Sequence, residues 1–253
     1  MMLNYRQMGD GPAMIIMHGL FGSSDNWQSL AKLLAAENLV ILPDLRNHGH
    51  SPQTDEFSYA LMAEDIAGLI AHEQLRDVML VGHSMGGKVA IEFALKYPWL
   101  LRKLVVIDIG TKQYPEHHQA ILEALNSADL NVLQSRNEVQ EHLERFISDA
   151  GVLQFLMKNL YWADRGRLGW RINIPVLTRE MPEILRKMDD TRIDVETVFV
   201  RGGLSRYVLD EDIPGLKKQF SLSTIITVEG AGHWVHAENP AAVVEILQKE
   251  ARE

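Results

Sequence analysis

The 253-residue chain contains no cysteine. That excludes disulfides, thiolate nucleophiles and zinc–thiolate sites. It has no basic excess either: the formal net charge is −9 at pH 7. Nucleic-acid binders and membrane-surface proteins usually carry a basic patch, so this balance argues against both. No apolar run approaches the roughly 20 residues of a membrane span. The opening residues, Met1-Met2-Leu3-Asn4-Tyr5-Arg6-Gln7-Met8, lack the apolar stretch of a signal peptide. A cytoplasmic protein without membrane insertion is the expectation. Internal repeats and low-complexity tracts are also missing. What remains is ordinary for a globular protein, 46% hydrophobic and 23% charged residues, in a length that suits one large domain with a sizeable core.

Short apolar runs alternate with amphipathic segments, which is the pattern of a mostly parallel sheet covered by helices. Strands are expected at residues 3–7, 14–17, 39–42, 78–81, 104–107, 197–200 and 225–228. Helices are expected at 27–36, 59–74, 88–96, 213–220 and 241–249, the last opened by Pro240. The rhythm breaks between about 112 and 190, where no clear strand is legible and residues 121–126, 139–147 and 152–160 read as helices. Trp162 and Trp170 lie beyond them, and Pro175 and Pro182 interrupt the remainder of the segment. We read 112–190 as a helical cap inserted into a core made of 1–111 and 191–253. Ligands in open α/β sheets bind at the carboxyl edge of the strands, and a cap there excludes water.

The most informative segment is Gly82-His83-Ser84-Met85-Gly86. It follows the apolar run Val78-Met79-Leu80-Val81 and precedes a helix-like stretch from Gly87 to Leu95. Strand, tight turn, then helix is the context a G-x-S-x-G nucleophile elbow requires. Glycines suit flanks too tight for side chains, and the helix start offers N–H groups to developing negative charge. A serine hydroxyl needs a base in reach and a third group to hold that base. His233, in Glu229-Gly230-Ala231-Gly232-His233-Trp234 after the last expected strand, is the candidate base. His72, His142, His117 and His118 fall on expected helices or the cap and read as solvated. His233 and His236 have no convincing third ligand, so no metal is expected.

These segments resemble the α/β-hydrolase fold superfamily over essentially the whole chain. His18-Gly19-Leu20-Phe21-Gly22 and Asp44-Leu45-Arg46-Asn47-His48-Gly49-His50-Ser51-Pro52 add a closer resemblance to the small bacterial YbfF-type esterases. The resemblance implies a mostly parallel sheet of about eight strands with a helical cap. In much of the superfamily the triad acid follows the strand read at 197–200, but Ser205 stands about where it would be. The resembled branch has its acid after the strand that follows the elbow helix, which is Asp108, 24 residues beyond Ser84. A carboxylate between two isoleucines is costly to bury unless paired. Asp210 is the rival acid. Asp44 and Arg46 read as support for nearby loops. The oxyanion hole is expected at the N–H of Met85 and, by resemblance, of Leu20. Phe21 and Trp234 are expected to wall the acyl pocket, with plain core packing as the alternative.

The resulting expectation is a serine hydrolase cleaving small carboxylic esters with no cofactor and no nucleic-acid partner. Acyl-CoA thioesters are a variant, with Arg165, Arg167 and Arg171 as candidate phosphate contacts. The alternatives are a cofactor-free haloperoxidase or carbon–carbon hydrolase on the same fold, and a non-catalytic ligand-binding receptor.

Overall fold

The computed structural model describes residues 1–163 and 166–252. Seven strands form the central sheet: β1 (Tyr5–Met8), β2 (Ala13–Met17), β3 (Leu39–Pro43), β4 (Val78–His83), β5 (Leu101–Ile107), and, further along the chain, β8 (Thr197–Gly202) and β9 (Ser223–Val228). Their order is β1-β3-β2-β4-β5-β8-β9. Only β1 runs antiparallel to its neighbour. These are the seven strands legible in the sequence.

Helices cover both faces. They are α1 (Gln28–Leu34), α2 (Tyr59–His72), α3 (Met85–Lys96), five within the insertion, then α9 (Ile213–Gln219), α10 (Val235–Glu238) and α11 (Pro240–Arg252). Side chains alternate across a strand. Met14, Ile16, Val40 and Leu42 therefore pack with Leu30 and Leu34 of α1 and with Val243 and Leu247 of α11. Ile15, Met17, Ile41 and Leu80 pack on the opposite side with α2 and α3. Burial on both sides explains why the parallel strands read as continuous apolar runs. No helix among the described residues is long and apolar enough to cross a membrane.

Between β5 and β8 lie α4 (Gln119–Ser127), α5 (Arg136–Glu144), α6 (Ala150–Met157), α7 (Ile174–Arg179) and α8 (Met181–Leu185). The insertion also contains a short antiparallel hairpin that the sequence did not reveal, β6 (Leu160–Trp162) with β7 (Leu168–Trp170). The helix expected to run to residue 160 stops at Met157. Asn159 turns inward there and donates from Nδ2 to the Phe21 carbonyl at 2.8 Å, and its own carbonyl accepts the Arg171 N–H at 2.9 Å. Pro175 and Pro182 do not break helices. Each sits in the first turn of α7 or α8, where the missing N–H costs nothing.

The chain goes from β2 outward to β3, then returns past β2 to β4. That reversal makes a crevice at the carboxyl ends of β2 and β4, the place where such sheets bind ligands. The turn after β4 is very tight. A Cβ on Gly86 would lie 2.5 Å from the His18 carbonyl and 2.8 Å from that of Met17. Both obstacles are backbone and cannot rotate away. Gly86→Ala should therefore cost about 1–3 kcal/mol, the usual range for overpacking, read as a lower urea midpoint with an unchanged m-value.

Candidate functional site

Ser84 follows the last residue of β4 and caps α3. Its backbone has φ 52° and ψ −120°, a conformation that costs a non-glycine residue on the order of 1–3 kcal/mol. The sheet ladder holds it: the Ser84 N–H donates to the Ile107 carbonyl at 3.0 Å. Although it occupies the cap position, the serine side chain makes no capping bond. Its hydroxyl instead lies 3.0 Å from His233 Nε2.

Asp108 extends β5 by one residue, and its N–H donates to the Val200 carbonyl at 2.8 Å. It also has a positive φ of 49° and is fully buried. Three donors meet its carboxylate. His233 Nδ1–H donates to Oδ2 at 2.7 Å, and the Gly202 N–H donates to Oδ1 at 2.9 Å. The Ser205 hydroxyl donates to Oδ2. The acceptor at Nδ1 fixes the imidazole tautomer and leaves Nε2 free to accept from Ser84. Asp210 takes no part; it is 88% exposed and pairs with Arg201.

The segment after β2 closes the other side of the serine. A Cβ on Gly19 would lie 3.2 Å from Ser84 Cβ, so this backbone packs directly on the nucleophile candidate. The Phe21 N–H donates to His48 Nε2 at 3.2 Å, and the Gly22 N–H donates to the Gly19 carbonyl at 3.0 Å. The Leu20 N–H has no acceptor among the described residues. Met85 opens α3, so its N–H has no intrahelical acceptor either. His18 accepts from the Leu45 N–H at 3.0 Å and donates to the Gly19 carbonyl at 2.8 Å. Buried Asp44 accepts from the N–H groups of Ser24 and His50 and from the Asn4 side chain. Arg46 makes a two-pronged pair with Asp65 at 2.7 and 3.0 Å. Asp44 and Arg46 thus brace the loops behind the site.

A cavity of about 390 Å³ opens over Ser84 and His233. Phe21 and Trp234 line it, as do Ile121 of α4 and Val152, Phe155 and Leu156 of α6. Three contributors escaped sequence reading. The Tyr207 ring stacks on His233 with centroids 3.7 Å apart at 15°, and its hydroxyl lies 2.6 Å from His117 Nε2. Ser205 holds the acid from the loop that looked vacant. His118, expected to be solvated, instead turns into the cavity beside the Phe21 ring. Burial lowers the His118 imidazole to about 4. An aromatic or a histidine in a helical insertion carries no signal of which way it faces, so only tertiary packing reveals these roles. Of the arginines considered for phosphate contacts, Arg165 lies outside the described residues. Arg167 is exposed, and Arg171 lies 2.9 Å from His50 Nδ1 and stacks over the Tyr161 ring. Neither Arg167 nor Arg171 lines the cavity. No group of three or more His, Asp or Glu able to hold a metal is found among the described residues.

Comparison with known proteins gives the family. Residues 14–246 match the alpha/beta hydrolase family, and the chain belongs to that family. The relatives it matches include esterases and lipases. The chain is 34% identical to Esterase YbfF of Escherichia coli over 93% of its own length and 91% of that protein's. It is 36% identical to the sn-1-specific diacylglycerol lipase ABHD11 of Mus musculus over 90% and 77%. A solved marine microorganism esterase superposes with a TM-score of 0.95 at 37% identity, covering 98% of both chains. The chain is accordingly a carboxylic ester hydrolase of the α/β-hydrolase family.

Several histidines around the site are held neutral. Desolvation lowers His48 and His236 to about 3 each and pushes His83 far down as well. An unfolded imidazole titrates near 6.5, so below that pH the unfolded chain binds protons that the native state refuses. Stability then falls as pH falls. At pH 5, His48 and His236 should each forfeit roughly 2 kcal/mol relative to pH 7. Thermal melts from pH 7 to 5 should show a falling Tm, and His48→Gln should reduce its slope.

Proposed function

We propose that Ser84 is the nucleophile of this hydrolase, His233 its general base and Asp108 the acid that orients the base, with the Leu20 and Met85 amides as oxyanion hole. The observation that carries the reading is the unbroken hydrogen-bond chain from the Ser84 hydroxyl through both ring nitrogens of His233 to Asp108. His233 Nε2 takes the Ser84 proton as Oγ attacks the acyl carbon of a small carboxylic ester. The carbonyl oxygen becomes an oxyanion beside two N–H groups that have no other acceptor among the described residues. Collapse of the intermediate expels the alcohol, which takes the proton from His233. Water, deprotonated by the same imidazole, then releases the acid. Asp108 holds the ring through Nδ1 and stabilises the imidazolium.

The insertion, residues 112–190, acts as a cap in this reading. Its helices α4 and α6 supply the apolar wall above Ser84, which keeps bulk water from the reacting centre. Phe21 and Trp234 form part of the substrate-binding wall. Oxygen esters are favoured over acyl-CoA thioesters, because no arginine among the described residues lines the cavity to meet a phosphate.

Ser84→Ala should lower kcat for p-nitrophenyl acetate by about 10⁶, the scale for losing a triad nucleophile. Asp108→Asn should lower it by about 10⁴, and Asp210→Asn should leave it unchanged. Wild-type turnover by Ser84→Ala would overturn the assignment. Ser205→Ala should lower kcat by roughly 10–100-fold, the equivalent of one hydrogen bond to a charged group, with little change in KM.

A further inference from the structure

Two chambers, not one, meet at Ser84. They share Leu20, Ser84, His118 and Tyr207. The larger, about 390 Å³, contains His233; the smaller, about 30 Å³, contains Met85 and lacks His233. This difference matters to an ester. In the tetrahedral intermediate the departing oxygen must reach His233 Nε2 to collect its proton. The alcohol therefore leaves through the chamber that holds His233. The acyl substituent points away from both His233 and the amides that meet the carbonyl oxygen, which leaves it the smaller chamber.

We infer that the small chamber is the acyl subsite and that it limits this enzyme to short acyl groups on bulky, largely apolar alcohols. The inference rests on the assignment of Ser84 and His233 proposed above. A single water needs about 10–15 Å³ of such volume, so 30 Å³ holds two or three heavy atoms beyond the carbonyl carbon. The walls are Tyr59, Lys88, Ile109, Tyr114 and Leu185, all buried. They are cross-braced and cannot swell easily. The Tyr59 hydroxyl donates to the Ile184 carbonyl at 2.6 Å, and the Tyr114 hydroxyl donates to the Tyr207 carbonyl at 2.9 Å. Lys88 Nζ, one helical turn after Ser84, donates to the Ile184 carbonyl at 3.4 Å and to that of Arg186. The end of α8 is thereby tied down onto α3. The larger chamber, by contrast, is walled by Ile121, Val152, Phe155, Leu156 and Trp234, enough apolar surface for a ring system.

The test is kcat/KM for 1-naphthyl acetate, butyrate and octanoate, which vary the acyl group against one bulky alcohol. Acetate and butyrate should exceed octanoate by at least 100-fold. Each methylene that a pocket cannot hold is worth roughly 10–200-fold. Leu185→Ala should raise the octanoate-to-acetate ratio at least tenfold by opening the far wall, and Leu185→Phe should lower the butyrate-to-acetate ratio. If Leu185→Ala does not fold, Ile109→Ala reads the same ratio. A flat profile across the three esters, or ratios that none of these variants move, overturns the inference while leaving the Ser84 assignment intact. Hydrolysis of none of the three brings down the assignment, and the inference with it.

Discussion

The arrangement depends on one fully desolvated carboxylate. Asp108 sits at the end of a core strand with no access to water. An ion in that position must be met by donors or the fold is penalised by several kcal/mol. The donors come from two segments: His233 after β9, and the Gly202 amide and Ser205 hydroxyl at the end of β8 and in the loop that follows it. Satisfying this single charge draws the loops after β8 and β9 to one edge of the sheet. It also fixes the tautomer of the imidazole that faces Ser84. The requirement of stability and the requirement of chemistry are met by the same hydrogen bonds.

The second constraint is steric. The elbow brings Gly86 against the carbonyls of Met17 and His18, and Gly19 against Ser84. Backbone approaches this close leave no side chain between the segment after β2 and the serine. The insertion is fastened to the same region by a few buried polar contacts. Asn159 donates to Phe21, the Asn173 amide donates to the Asn47 carbonyl at 3.0 Å, and Lys88 donates to the chain at the end of α8. Burial lowers the Lys88 amine to about 7. A lysine so placed gains from every carbonyl it can reach, which helps explain why α8 ends where it does.

Much of this was legible before the fold was known. The central strands announced themselves because parallel strands buried on both faces must be apolar throughout. The elbow was visible because glycines on both sides of a serine, between a strand and a helix, mark a turn with no room for side chains at its flanks. The late histidine followed from chain order. The hairpin of Leu160–Trp162 with Leu168–Trp170 was not legible, since three-residue strands have no periodicity to detect. The end of α6 at Met157 was missed because its cause is a contact with Phe21, which lies 138 residues away. Loop 201–207 looked deficient because an aspartate was sought there. A serine performing a supporting role, and a tyrosine stacked on the base, leave no trace in local sequence.

Sequence alone determined the class of chemistry, because strand periodicity and the Gly-x-Ser-x-Gly turn are local properties that neighbouring residues enforce. It also narrowed the acid to two candidates. Tertiary structure separates them, since Asp108 and Asp210 differ in what surrounds them and not in what they are. One is buried among three donors and the other is 88% exposed beside Arg201. The same holds for His118 and for the two chambers at Ser84. The direction of a side chain and the space left between packed elements arise from contacts distant in the chain, and no local pattern encodes them.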